Sequence, residues 1–160
     1  MFKTKNDLSE STRSHVVELC NNRLADAIDL MLHAKQAHWN VKGPQFIALH
    51  ELFDKIYEDA AEYVDLIAER VVQLGGSADG TRQLIANRST MPEYPANIAN
   101  GRDHVEALSN SLAFFGKAVR FAINKADELE DKDTADIFTE VSRGVDKWLW
   151  FVEAHAQAEQ

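Results

Sequence analysis

Four side chains able to hold a borderline divalent cation stand on one stretch of the chain: His50, Asp54, Asp65 and Glu69. His50 and Asp54 are four residues apart, and so are Asp65 and Glu69. That is one helical turn, so each pair shares a face. At ~100° per residue the offsets from His50 are about 40° for Asp54, 60° for Asp65 and 100° for Glu69, so all four project from one side of a helix. Imidazole nitrogen with carboxylate oxygen suits ferrous iron. Either pair alone would read as an ordinary solvated face. His38 adds weight: it lies five residues before Gly43, and His50 lies seven after it. In an antiparallel helical hairpin turning at Gly43 these two histidines reach similar heights.

Distance then constrains how the face can work. Asp54 and Asp65 are about 16 Å apart along a helix, whereas ligands of one ion lie within roughly 4 Å of each other. One chain cannot bring both ends of the face to one metal. A second copy can, if the two helices pack antiparallel about a two-fold axis passing near Asp59 or Ala60. His38, His50 and Asp54 of one subunit would then meet Asp65 and Glu69 of the other. A two-fold contact is self-complementary, so two equivalent sites form.

The elements that must position these residues follow from hydrophobic spacing. A first amphipathic segment runs from about Ser9 to Asn40, with Val16, Cys20, Leu24, Ala27, Met31 and Ala34 at intervals of three and four. Asp7 or Ser9 can cap it, and Gly43-Pro44 ends it. A second segment, about Gln45 to Leu74, closes at Gly75-Gly76. The pattern stops from Ser77 to Gly101, where Arg82 to Asn87 can form one short helix. Helical spacing returns over about Arg102 to Glu128 and again over about Thr134 to Ala156. The expected fold is all-α, a four-helix bundle over residues 1–160 read as one domain, with a short extra helix in the long connection between the second and third helices. Short hairpins and one long crossover are the ferritin-like arrangement. Its usual intrachain di-iron signature is missing: none of the six histidines has a Glu three residues before it. The bundle either binds no metal or builds its site differently.

Composition removes other classes. Of 160 residues, 45% are hydrophobic and 27% charged, with 7 Gly and 3 Pro, which disfavours disordered and turn-rich β chains. A net charge of −9 disfavours a basic nucleic-acid face. No apolar run is long enough for a bilayer span or a signal peptide, and the lone Cys20 lies on an apolar stripe, as a buried structural thiol would. A cytoplasmic setting is expected. No Gly-rich phosphate loop or nucleophile elbow occurs. Trp148 keeps the core stripe of the last helix, while Trp150 falls off it. His33 reads as a surface or interface residue, and Tyr94 and His104 carry no specific signal.

The run HAKQAHWNVKGPQFIALHELFD (His33 to Asp54) and the run DLIAERVVQLGG (Asp65 to Gly76) closely resemble the Dps family, the bacterial miniferritins. DTADIFTEVSRGVDKWLWFVE (Asp133 to Glu153) resembles that family's last helix, and the likeness covers about Thr4 to Glu153. His38, His50, Asp54, Asp65 and Glu69 fit the family's ferroxidase pattern without substitution. The resemblance implies a homo-dodecameric shell with ferroxidase sites at dimer interfaces. It also implies oxidation of Fe(II) by hydrogen peroxide or dioxygen, storage of ferric mineral and protection against oxidative stress; zinc can take the same ligands. Trp39, beside His38, is a candidate electron donor. Glu130, Asp131, Asp133 and Asp136 are the candidate lining of a three-fold iron-uptake pore. The alternative is nucleoid DNA condensation. Members that bind DNA do so through a lysine-rich arm, and here only Lys3, Lys5 and Arg13 stand at that end, with no Lys or Arg in the C-terminal AHAQAEQ.

Overall fold

A computed structural model describes residues 1–157. The C-terminal stretch read above for its lack of basic residues runs to 160, so its last three residues lie outside the described ones. The element order is α1 (Glu10–Asn40), α2 (Phe46–Gln73), the short α3 (Arg82–Arg88), α4 (Gly101–Glu128) and α5 (Lys132–Gln157). The chain is all-α, as the spacing requires. Ser9 is the N-cap of α1, its Oγ accepting from the Thr12 backbone N–H at 3.0 Å. Asn100 does the same for α4, accepting from Asp103 N–H at 2.9 Å. Each cap satisfies a donor that the first helical turn leaves without a partner.

Helix α1 packs chiefly on α2, and α4 on α5; α1 also meets α4, and α2 meets α5. Each helix turns its apolar stripe inward. Phe53, Phe115 and Phe138 are fully buried, with Leu24, Leu30, Ile56 and Leu108 around them. Each such side chain contributes about 1.5–3 kcal/mol on leaving water. Cys20 belongs to this core, and burial pushes its thiol up to about 12, so it is inert packing. Trp148 is buried as its stripe position predicts, and its Nε1 donates to Asp59 Oδ2 at 2.7 Å. Trp150 is exposed.

The crossover follows α1 in register. The Asn21 side chain donates to Ser77 O and accepts from Asp79 N–H, both at 3.0 Å. Arg88 pairs with Glu18 at 2.9 Å, and buried Asp26 accepts from Thr90 N–H at 2.7 Å. Tyr94 then reaches His33, and Lys42 N–H donates to Ala99 O at 2.7 Å. Residues 77 to 100 thus run parallel to α1 and deliver the start of α4 beside the α1–α2 turn. The many polar residues of this connection are the anchors of that path.

The α4–α5 turn is fastened to the far end of α2. Asp131 caps α5 by accepting from Thr134 N–H at 3.0 Å, and it pairs with Arg70 at 2.7 Å. Arg70 Nε also donates to Thr134 Oγ1 at 2.9 Å, and all three residues are buried. Asp131 therefore departs from the pore expectation: its carboxylate is spent on the cap and the ion pair, while Glu130, Asp133 and Asp136 remain exposed. Helix α4 ends in a Schellman motif, with Asp131 N–H on Ala126 O and Glu130 N–H on Asp127 O. Glu130 occupies the left-handed position at φ 60°, where a side chain is disfavoured. Glu130→Gly is expected to raise stability by about 0.5–1 kcal/mol, read as a higher urea midpoint at unchanged slope. A lower midpoint would mean that the Glu130 side chain contributes more than the strain costs.

Candidate metal centre

The α1–α2 hairpin brings His38 and His50 together. Their rings stack with centroids 3.7 Å apart. His38 Nδ1 lies 2.8 Å from the backbone carbonyl of His50, and His50 Nδ1 lies 2.8 Å from the carbonyl of His38. A carbonyl oxygen only accepts, so in each case Nδ1 carries the proton. In the neutral ring Nε2 is then the lone-pair nitrogen. The two imidazoles lock each other's tautomer and orientation, which is what backbone partners do for metal-binding histidines.

Asp54 stands beside them, its Oδ1 3.9 Å from His38 Nδ1. The same oxygen accepts a hydrogen bond from Lys35 Nζ, and this contact, aided by the nearby imidazoles, holds the Asp54 carboxyl below the usual carboxylate range. Lys35 also lies over the Tyr57 ring at 4.3 Å. Lys35 is a site residue that spacing analysis passed over. Its signal was available, since it precedes His38 by three residues and so shares its face.

Asp65 and Glu69 are exposed on the same side of α2, remote from this cluster in the chain's own structure. Among the described residues, no group of three His, Cys, Asp or Glu side chains is gathered to hold an ion within one chain. The face has an internal symmetry. His50 with Glu69, Asp54 with Asp65, and the exposed Ile47 with the exposed Val72 are all centred on the same point, between residues 59 and 60. At that height Asp59 is engaged by Trp148 and Ala60 is buried. Glu58 is exposed at that height and Ala61 half-buried.

Trp39 is 66% exposed next to His38. His33 departs from its expected surface or interface position. It is 6% exposed, with Nδ1 3.0 Å from Ser111 Oγ on α4, because the arriving α4 and the crossover cover that part of α1. Tyr94 and His104 also acquire partners that spacing did not suggest: the hydroxyl and Nδ1 are 2.8 Å apart.

The segment before α1 is tied down. Phe2 N–H donates to Gly75 O at 2.7 Å, and Leu8 N–H to Asn6 Oδ1 at 3.0 Å. Arg13 donates to Leu74 O at 3.0 Å and to Leu8 O at 3.2 Å. Arg13 therefore serves as a clamp on the α2 end. Lys3 and Lys5 are exposed, on a segment held at both ends.

Known proteins resemble this chain over nearly its whole length. The ferritin-like domain family matches residues 17–160. A DNA protection during starvation protein of Agrobacterium fabrum is 49% identical over 155 residues, covering 97% of this chain and 96% of that protein. The structure of Mycobacterium smegmatis Dps matches with a TM-score of 0.92 at 33% identity, over 97% of this chain and 88% of that one. Dps from Microbacterium arborescens, solved in a high-iron form, matches with a TM-score of 0.85 at 31% identity, over 97% and 98% of the two chains. The crossover bundle, the matched domain and these relatives agree: the chain belongs to the Dps family of the ferritin-like superfamily, a family of iron storage and DNA protection.

Proposed function

We propose that this protein is a ferroxidase and iron-storing miniferritin. Its site is assembled across a two-fold axis from His38, His50 and Asp54 of one subunit and Asp65 and Glu69 of another. The observation that carries the reading is the reciprocal lock of His38 and His50, which holds two imidazoles with Nε2 as the open nitrogen beside an ionised Asp54. The common centre of the ligand pairs and of Ile47 with Val72 supports the two-fold pairing, because a self-complementary face needs that symmetry.

Fe(II) is the substrate. Two imidazoles and one carboxylate offer it nitrogen and oxygen, and two carboxylates from the other subunit add charge and a bridging oxygen. Reduction of one hydrogen peroxide to two waters takes two electrons and two protons. Two ferrous ions held together supply both electrons. A lone ferrous ion supplies one and releases hydroxyl radical. Dioxygen is the alternative oxidant, and zinc has suitable geometry for the same ligands. Lys35 occupies Asp54 until the metal arrives, so iron binding must displace an ammonium. Trp39 is an exposed donor next to the site. Glu130, Asp133 and Asp136 provide the exposed carboxylates that concentrate Fe(II) at a shell opening, and the shell of twelve subunits encloses the ferric product.

DNA condensation is the second reading. It draws on the name of the Agrobacterium fabrum relative. Against it stand the chain's net charge of −9 and the pinned N-terminal segment, which leave few free cations for phosphate contacts. The test is anaerobic Fe(II) loading of the pure protein followed by hydrogen peroxide or dioxygen. Ferric absorbance is followed, with sedimentation for the shell and a gel shift at physiological salt for DNA. Rapid oxidation by a shell that leaves DNA unshifted is expected. A retained DNA complex without iron oxidation would replace this reading with the second.

A further inference from the structure

Behind the ferroxidase face lies a second set of titratable side chains. Tyr94 lies in the crossover, His104 lies in the first turn of α4, and His33 comes from α1. The Tyr94 hydroxyl and His104 Nδ1 are 2.8 Å apart, and their rings are inclined by only 20°. The His33 ring lies 5.2 Å from that of Tyr94. His104 is 1% exposed, and its ring faces Phe53 at 6.4 Å. Phe53 precedes Asp54 and sits one turn from His50 on α2.

The protonation pattern follows from burial. Burial pushes the Tyr94 phenol up and both His33 and His104 down. The phenol keeps its proton and His104 is neutral; with the ring proton on Nε2, the phenol donates to the Nδ1 lone pair. Tyr94 cannot shed its proton alone in these surroundings. It can shed a proton and an electron together, because the imidazole stands in line to receive the proton. The chain's other two tyrosines differ: Tyr57 carries the Lys35 ammonium over its ring, which opposes loss of an electron, and Tyr63 has no imidazole on its hydroxyl among the described residues.

We propose that Tyr94 and His104 form a proton-coupled one-electron donor that quenches hydroxyl radical generated when peroxide meets a single Fe(II). The proposal rests on the ferroxidase reading and deepens it. In the quenching step the Tyr94 O–H bond breaks. Its proton goes to His104 Nδ1, and its electron goes through the protein to hydroxyl radical, which becomes hydroxide. Neutral reactants give a neutral tyrosyl radical, an imidazolium and one hydroxide, so charge balances. A later Fe(II) returns the electron as it becomes Fe(III), and the imidazolium returns the proton. The pair thus completes the two-electron reduction of peroxide when iron arrives one ion at a time.

Two arms test this on the assembled full chain. In the first, azide radical made by pulse radiolysis oxidises iron-free protein, and the tyrosyl radical is followed by absorbance and electron paramagnetic resonance. Wild type and the Tyr57→Phe/Tyr63→Phe variant are expected to give the signal. Tyr94→Phe should lose most of it, and His104→Gln should give a smaller, shorter-lived one. In the second arm, a single Fe(II) per site meets peroxide in the presence of a spin trap. Tyr94→Phe should release several-fold more hydroxyl adduct per ferric ion formed. A tyrosyl signal that survives in Tyr94→Phe overturns the proposal, as does an unchanged adduct yield. If wild type forms no ferric ion, the ferroxidase reading fails, while the first arm still decides whether Tyr94 is the donor. Sedimentation and circular dichroism confirm that each variant assembles; if Tyr94→Phe does not, loss of the signal in the Tyr57→Phe/Tyr63→Phe variant overturns the proposal.

Discussion

His50→Ala is expected to slow Fe(II) oxidation by about 100-fold or more, beyond the 10–100-fold typical of changes outside the ligand shell. The substitution removes one imidazole but keeps the backbone carbonyl of residue 50, which is the partner of His38 Nδ1. His38 therefore stays oriented, and the loss reports on the missing ligand. His50 is only half-buried, so the fold should tolerate the change at a cost near the ordinary single-mutant value of about 1 kcal/mol. Stopped-flow ferric absorbance on shells of unchanged size separates the two effects. A rate close to wild type would make the stacked histidines a structural clasp of the α1–α2 hairpin.

Arg70→Ala should have the largest effect on stability. It strands the Asp131 carboxylate, 2% exposed, without its cation, and deprives Thr134 of a donor. Breaking one side of a buried pair costs about 3–5 kcal/mol. For a chain of this size each kcal/mol lowers the melting temperature by about 2–4 °C, so a drop on the order of 10 °C is expected. Arg70→Ala/Asp131→Ala should be less damaging than the sum of the single changes, since the second removes the charge that the first leaves unpaired. Additive losses would mean that the two residues act independently.

The helices and the shared face of His50, Asp54, Asp65 and Glu69 are legible in the sequence for the same reason. Both are local periodicities, and a helix of fixed pitch converts spacing into direction. The pairing of His38 with His50 is legible because a short hairpin keeps register across Gly43. What stays hidden depends on distant partners. Asp131 looks like one acid among four until Arg70, from 61 positions earlier, arrives beside it. His33 looks like a surface histidine until Ser111, from 78 positions later, covers it. Tyr94 and His104 are ten residues apart across a loop-to-helix junction, where no periodicity relates their directions. Lys35 is different: its position on the His38 face was visible, but a lysine near a histidine reads as ordinary solvated charge until it is seen against Asp54.

The central claim is that one working site needs two subunits, and subunit complementation tests it most directly. His50→Ala lacks one half of the site, and Glu69→Gln lacks the other. Each shell alone should be nearly inactive. Co-assembled at equal amounts, they form mixed dimers in which one of the two sites draws both halves from intact sides. Random pairing then restores about a quarter of the wild-type sites, and the initial rate of Fe(II) oxidation should rise to that fraction. Activity that remains at the level of the parent shells would contradict a site shared across the two-fold axis.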